Sequence, residues 1–448
     1  MARPNPDTLL AETKVLAPAF TKPGFCNALL LILGWLATRG RHAVTQSLVE
    51  LGITGRVHHE RLHRFFSRGA WSPDQLGRLL FERLLALHRQ DHPITFAIDD
   101  TLVSHRGPKV FGIASHLDAV RSTRFRRVFS FGHVWVVLTV CVRLPYSKRT
   151  WALPLLFRLY RPKKSCKRGG PPFKKKTELA HEMLQIAAAW APDHICRVTA
   201  DSAYANATVL ADLPEHVTFV GAMRDDAALT SLPIRHPHAR GRRRKRGERM
   251  PTPKALVKSS AQKWRRIRAT IYGRDLSLEV KVFDAQWYRA AGSRHLRVVL
   301  VRVHRGDLPV RVFFSTDSTA NAEQIITTYA ARWAIEVAFR DMKQHLGFGD
   351  SEARLSAAVL RVAPFAGYLY TLLAIWFSTL TPRQRRCAVV FRPWYRHKVG
   401  YSFEDILRAA QLSIRELCIL DLLRDHGDLR LRMPDPHIPR RRPISGVT

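Results

Sequence analysis

The chain has 448 residues, 46% of them apolar, which is enough for a buried core in two or three structural units. Lys and Arg number 73 against 36 Asp and Glu, a formal charge of +37. A surface this basic repels itself unless it meets an anion, and the common large polyanions are nucleic acids and acidic membrane surfaces.

The opening segment, Met1 to Val15, has no signal-peptide apolar core. The six cysteines include no C-x-x-C pair, which removes a zinc ribbon or redox motif and suits a reducing cytosol. A cytoplasmic location is expected. Residues 1–90 read as helical, with a strongly apolar helix at Asn27–Ala37 that is too short to span a membrane. A short helix at Val44–Leu51 ends at Gly52, and a basic helix follows at Val57–Arg68. Helix, Gly-containing turn and basic helix make a helix-turn-helix-like DNA-binding region, with His58, Arg61 and Arg64 opposite the apolar Leu62, Phe65 and Phe66. A helical hairpin with a solvated basic face has the same pattern.

From Ile94 the pattern changes to strands. Ile94–Ile98 is a short apolar run ending in Asp99-Asp100-Thr101. Val134–Val142 is β-branched and continuous, as in a strand buried on both faces, and Trp151–Tyr160 is expected to pair with it. Glu178–Ala189 has helical periodicity, Ile195–Thr199 is a strand ending at Ala200-Asp201, and Val217–Ala222 is another strand. Residues 91–225 therefore read as the first part of a mixed α/β core with carboxylates at strand ends. Residues 226–318 read as a β-rich insertion. It contains the basic run Arg235–Lys258, expected to be solvated, and strands at Ile267–Ile271, Leu276–Phe283, Arg297–Val303 and Val310–Ser315. Arg305-Gly306-Asp307 is read as a hairpin turn. Residues 319–382 complete the core with one long helix from Ala320 to about Leu346. Val362–Leu380 is long enough to span a bilayer, but Pro364, Gly367 and two tyrosines favour a buried core helix, and no membrane partner is expected. Residues 383–448 are a helical, basic C-terminal region with a tail from Pro434. There are no internal repeats.

The segment Tyr329–Lys343 carries the most information. On one helix, Tyr329, Arg332, Glu336 and Lys343 share an arc of roughly 60°, with Ala331, Ala334, Ala338 and Met342 opposite. Ion pairs Arg332–Glu336 and Glu336–Arg340 would account for the charges alone. They do not account for aspartates at the ends of two preceding core strands. Two strand-end acids and one helical acid can converge on a pair of divalent ions. Such ions activate an attacking oxygen and stabilise a leaving one in phosphoryl transfer.

The spacing Tyr-x2-Arg-x3-Glu-x6-Lys, met in full by Tyr329, Arg332, Glu336 and Lys343, resembles the YREK signature of bacterial insertion-sequence transposases. That group has a DDE catalytic triad on a ribonuclease H-like fold, interrupted by a β-rich insertion. Ile98-Asp99-Asp100-Thr101 looks like its first strand, ending in Asp-x-Thr, and Thr199–Tyr204 looks like its second acid. The resemblance spans about residues 94–380. It implies that Asp99, Asp201 and Glu336 are catalytic and bind Mg²⁺, with Mn²⁺ as substitute. It also implies that Tyr329, Arg332 and Lys343 grip phosphates of double-stranded DNA, and that a homodimer joins two transposon ends. Asp100 would replace Asp99 if the strand ended one residue later, since a one-residue shift moves a side chain to the other face. Trp264 and Trp287, in the insertion, are candidates to stack a flipped base, and packing of a small β-sheet accounts for them equally well. A DNA nuclease that never joins strands and a non-catalytic DNA-binding regulator fit the same charge. His59-Glu60-Arg61-Leu62-His63 spells a zinc-protease motif, but Arg61 is a cation beside the would-be metal and no third ligand is evident.

Overall fold

The computed structural model describes residues 3–87, 92–107, 109–166, 170–234, 244–304, 309–390, 392–394 and 400–415, with positions 417, 419 and 422. The chain opens with helices α1 (Pro6–Lys14), α2 (Lys22–Ala37), α3 (Gln46–Glu50), α4 (His59–Ser67) and α5 (Pro73–Leu85). Strands β1 (Ile94–Ser104), β2 (Ala114–Leu117), β3 (Phe129–Arg143) and β4 (Thr150–Tyr160) follow, then α6 (Lys176–Ala189), β5 (Cys196–Ala200), α7 (Ala207–Leu210) and β6 (Val217–Ala222). Next come α8 (Pro253–Lys258), β7 (Arg265–Ile271), β8 (Arg274–Ala285), α9 (Tyr288–Ala291), β9 (Leu296–Val303) and β10 (Arg311–Ser315). The helices α10 (Ala322–Ala331), α11 (Trp333–His345), α12 (Ser356–Thr379), α13 (Pro382–Cys387) and α14 (Phe403–Ile414) complete the described chain.

Among the described residues all ten strands join one sheet, ordered β2-β3-β1-β5-β6-β10-β9-β8-β7, with β4 also on β3. β1 is antiparallel to β3 and parallel to β5, and β5 is parallel to β6. The β7–β10 segment continues this sheet, because β10 pairs antiparallel with β6. The apolar run of β3 is buried from Val134 to Val140, as its continuous β-branched pattern requires.

One hydrophobic core runs from Leu9 in α1 to Ala410 in α14. Its axis is α12, buried over most of its length and the one described helix long and apolar enough to cross a membrane. Gly367 lets α12 lie against β4, since a Cβ there would overlap the Phe157 ring. The N-terminal helices pack on the same axis. Phe66 of α4 meets Trp35 and Phe365, and the Trp35 indole donates to Leu346 O at 2.8 Å. Arg158 of β4 ties α5 to α6, donating to Asp74 at 2.7 Å and Glu182 at 2.9 Å. Residues 3–87 are thus built into the core that supports the sheet.

Two expectations about local structure need correction. β1 does not stop near Ile98 but continues to Ser104, because β3 supplies an antiparallel partner along its whole length. The long helix expected from Ala320 to Leu346 is divided at Arg332, where the amide bonds to Tyr329 O in a tighter i−3 turn. Arg305-Gly306-Asp307, residues 235–243 of the basic run and the tail from Pro434 lie outside the described residues.

Candidate active site

β1 outlasts its neighbour. β5 pairs with β1 only up to Ile98↔Ala200, so the next residues along the two parallel strands are Asp99 and Asp201. Asp201 is still extended (φ −68°, ψ 165°) and accepts the Ser202 amide at 2.6 Å. Matched residues of parallel strands point to one face, so Asp99 and Asp201 share a face and Asp100 takes the opposite one.

The face of Asp99 is the one covered by the α10–α11 junction. One Arg332 guanidinium reaches both acids, donating from Nη1 to Asp99 Oδ2 at 2.6 Å and from Nη2 to Glu336 Oε1 at 3.0 Å. The tight turn at Arg332 aims its side chain down at β1 while Glu336, one helical turn on, stands above the same strand. Asp99 Oδ1 accepts the Asp100 amide at 2.8 Å. Burial pushes the Asp99 carboxyl up to about 6, against the opposing pull of Arg332 and that amide. Arg340 turns away from Glu336 and pairs with Asp341 at 2.9 Å, so only one of the two expected helical ion pairs forms.

Asp100 is held elsewhere. It accepts from Lys176 Nζ of α6 at 2.6 Å and from the Tyr204 hydroxyl at 2.8 Å. Burial and the Asp100 charge push the Tyr204 phenol far up, which keeps it a donor. The two adjacent aspartates therefore serve different faces, and only Asp99 meets Arg332 and Glu336.

The other residues of the four-residue signature spread along the same helices. Tyr329 packs at a tilt on Phe313 of β10 at 4.4 Å between centroids, and the Arg332 guanidinium lies 5.6 Å from its ring. Burial raises the Tyr329 phenol, Arg332 opposes this, and the nearby Asp201 adds to it. Lys343 Nζ donates to Leu102 O at 2.8 Å, on the stretch of β1 that β5 leaves without a partner. A groove of about 790 Å³ runs from Asp201 past Tyr329 and Arg332 to Arg224 and Arg311.

Sequence reasoning missed the aromatic pair at this groove. Tyr272 and Gly273 form the tight turn between β7 and β8, both at positive φ (54° and 75°). Tyr272 is the one described non-glycine residue with positive φ, and its ring lies 6.3 Å from that of Trp333. Both rings are about half exposed or more. The Tyr272 phenol is raised by burial, opposed by Arg332 and reinforced by Glu336, and Tyr272 lines the groove together with Asp201 and Arg332. The signal was available in the bulky residue of a two-residue Tyr-Gly turn and in the Trp following Arg332. The two tryptophans named as candidates to stack a base both make contacts within the chain. Trp287 is buried against Phe314, and Trp264 lies between Lys281 and Arg302.

In the N-terminal region Arg61 bonds to the Asn27 side chain and Arg64 pairs with Glu60 at 2.8 Å. His58, Arg61 and Arg64 border one surface cavity. The His59 and His63 rings lie 6.2 Å apart, and Glu60 is engaged by Arg64. Among the described residues no three acidic, histidine or cysteine side chains stand close enough to hold a metal ion as they are, here or at the acids. At His59–His63 nothing supplies a third ligand. At Asp99 the chemistry is different. A buried carboxylate beside a second acid, drawn to a shared guanidinium, is an oxygen donor set that suits a hard dication.

The fold and this cluster define a class, an α/β protein with carboxylates gathered where a parallel strand pair ends. Residues 15–275 match the family model "DDE superfamily endonuclease", and residues 289–373 match "Archaeal putative transposase ISC1217". The first match covers more than half of the chain, which belongs to the DDE superfamily endonuclease family; the two matches together make it a DDE transposase enzyme. No curated protein matches the chain. Among solved structures, the piggyBac transposase synaptic complex with hairpin DNA, determined by cryo-EM, is similar over 92% of this chain and 76% of that one, at 12% identity and a TM-score of 0.40.

Proposed function

We propose that this enzyme cuts DNA at insertion-sequence ends and joins the ends to a target, using Mg²⁺ or Mn²⁺ bound by Asp99, Asp201 and Glu336. The observation that carries the reading is the single Arg332 guanidinium shared by Asp99 and Glu336, with Asp201 beside Asp99 in register. The order β4-β3-β1-β5-β6, three antiparallel strands followed by two parallel ones, supports a ribonuclease H-like core. The YREK spacing supports kinship with bacterial insertion-sequence transposases.

When bound, the divalent ions supply an activated attacking oxygen and charge stabilisation for the leaving one. The chain's own groups do the rest. Arg332 holds the two acids together by donating to both. Tyr329 and Arg332 present donors to phosphate oxygens along one side of the groove, and Arg224 and Arg311 continue that positive wall, while Lys343 offers its ammonium beside Leu102, farther along β1. The Tyr272–Trp333 pair offers ring faces to a base at the cut. End recognition is assigned to the outer face of α4, where Arg61 and Arg64 exchange Asn27 and Glu60 for DNA. Bringing two ends together calls for two copies of the chain.

Cleavage of a supercoiled donor plasmid with Mg²⁺ tests the assignment. Asp99→Asn, Asp201→Asn and Glu336→Gln should each abolish cleavage while leaving DNA binding nearly intact. Wild-type cleavage by Asp201→Asn overturns the assignment. Pre-cut ends with free 3′-hydroxyls, supplied with a target plasmid, separate a transposase from a nuclease that never joins.

A further inference from the structure

The sheet ends on β2, an edge strand carried by the β2–β3 hairpin, and this hairpin exposes aromatic rings in a run of arginines. Phe125 is 96% exposed, Phe129 62% and Phe131 55%. Four arginines, Arg121, Arg124, Arg126 and Arg127, lie in the same stretch. Asp118 is the acid nearest to them in sequence, and it is occupied within the loop. Its carboxylate accepts from the Val120 and Arg121 amides at 3.1 Å and from the Ser130 hydroxyl at 2.9 Å, and it lies 3.8 Å from the Arg121 guanidinium. Further bonds, Thr123 N to Arg126 O and Val128 N to Ser122 Oγ, fix the rest of the loop. The rings are therefore held outward by a built loop, which reduces the ordering cost of binding.

Register places these rings on a particular side. Asp99 faces Val137, Thr101 faces Trp135 and Val103 faces His133. Phe131 and Phe129 follow at even spacing along β3, so they share the face of Asp99. Phe131 lies six residues from Val137, about 20 Å along the strand. Between them and the loop before α12 is a cavity of about 940 Å³ lined by both phenylalanines and by Arg106, Lys109, Arg121 and Arg354. Its two acids are engaged, Glu352 by Arg41 at 2.9 Å and Asp350 by the His42 amide at 3.1 Å. Arg124, Arg126 and Arg127 have no ion-pair partner among the described residues.

We propose that this groove and hairpin hold an unpaired DNA strand, with its phosphates on the arginines and its bases on Phe129 and Phe131. In a duplex the base faces are already stacked, so exposed rings beside arginines gain most from unpaired bases. The site holds a strand about 20 Å from the acids, on their side of the sheet. The proposal rests on the DNA-cutting reading only for the class of polymer, and its test needs no catalysis.

Binding of a labelled oligo-deoxythymidine and of a blunt duplex to the full chain, in EDTA, is followed by fluorescence anisotropy. Phe129→Ala/Phe131→Ala should weaken oligo-deoxythymidine binding about tenfold or more, with duplex affinity within about twofold of wild type. Phe129→Tyr/Phe131→Tyr should restore single-strand affinity, which a folding defect would not allow. Arg124→Gln/Arg126→Gln/Arg127→Gln should lower the single-strand salt slope by about 2. Equal losses on both probes would reduce the site to a non-specific basic patch and overturn the proposal. Unchanged single-strand binding with altered self-association in sedimentation would overturn it too, making the face a contact between copies. If cleavage fails for reasons at Asp99, these affinities are unaffected.

Discussion

Replacing Asp99 by Asn should inactivate the enzyme and stabilise it at neutral pH. The carboxyl is raised from 3.8 to about 6 by burial, even with Arg332 bonded to it. A raised carboxyl means that the native state takes up a proton more readily than the unfolded chain. Ionising Asp99 therefore destabilises the fold, by about 3 kcal/mol at pH 7.5 and about 1.6 kcal/mol at pH 5 for a shift of that size. The stability associated with this group rises as the pH falls through about 6, and the gain is complete only below about 4. Asn keeps the shape and removes the charge. It also removes a partner from Arg332, which retains Glu336, so the net gain at pH 7.5 should be about 1–3 kcal/mol. Thermal melting of wild type and Asp99→Asn in EDTA, at pH 7.5 and pH 5, measures this. The variant should melt higher at pH 7.5, with the difference roughly halved at pH 5. Added Mg²⁺ should raise the wild-type melting temperature and move the variant's much less. A variant that melts lower at both pH values, by the same margin, would refute the argument, since Asp99 would then be a net stabilising ion pair.

Arg332→Gln removes the charge that holds the Asp99 carboxyl down, so the acidic limb of the cleavage pH profile should move to higher pH and plasmid cleavage at pH 6 should fall more than at pH 8. Asp100→Asn should keep cleavage within several-fold of wild type, because Asp100 faces Lys176 and Tyr204; loss as complete as in Asp99→Asn would reverse the choice between the two. Arg61→Ala should weaken binding to the cognate transposon end by about 1–3 kcal/mol if it contacts a base bidentately, with a smaller loss on scrambled DNA in gel shifts. Point variants are required for this, because removing residues 1–90 would strip Trp35, Phe66 and their neighbours from the core. DNA affinity should fall steeply with salt, with a log–log slope of about −0.9 per neutralised phosphate, and a flat response would contradict a chain of +37 charge built for a polyanion.

Local pattern was enough for much of this protein. The continuous β-branched run of β3, the alternating pieces of β7 to β10 and the helical period around Glu336 each follow from side-chain spacing within a few residues, so they are readable without knowing any neighbour. The acids and the Tyr-Arg-Glu-Lys spacing are readable for the same reason. What the sequence could not decide is what depends on a partner strand or a distant ring. Asp99 and Asp100 are equivalent in a run of letters. The register of β1 against β5 sets which of them joins Asp201, and the lateral position of the Arg332 turn sets which meets Glu336. The same holds for the N-terminal helices. Their apolar faces announce that they will be buried but not that α12, roughly 300 residues away, supplies the surface. The Tyr272 ring reaches Trp333 only because β10 joins β6 and extends the sheet outward, letting the β7–β8 turn come back over the acids. Side-chain period is a property of the segment, whereas face, register and long-range contact are properties of pairs, and only the folded chain brings those pairs together.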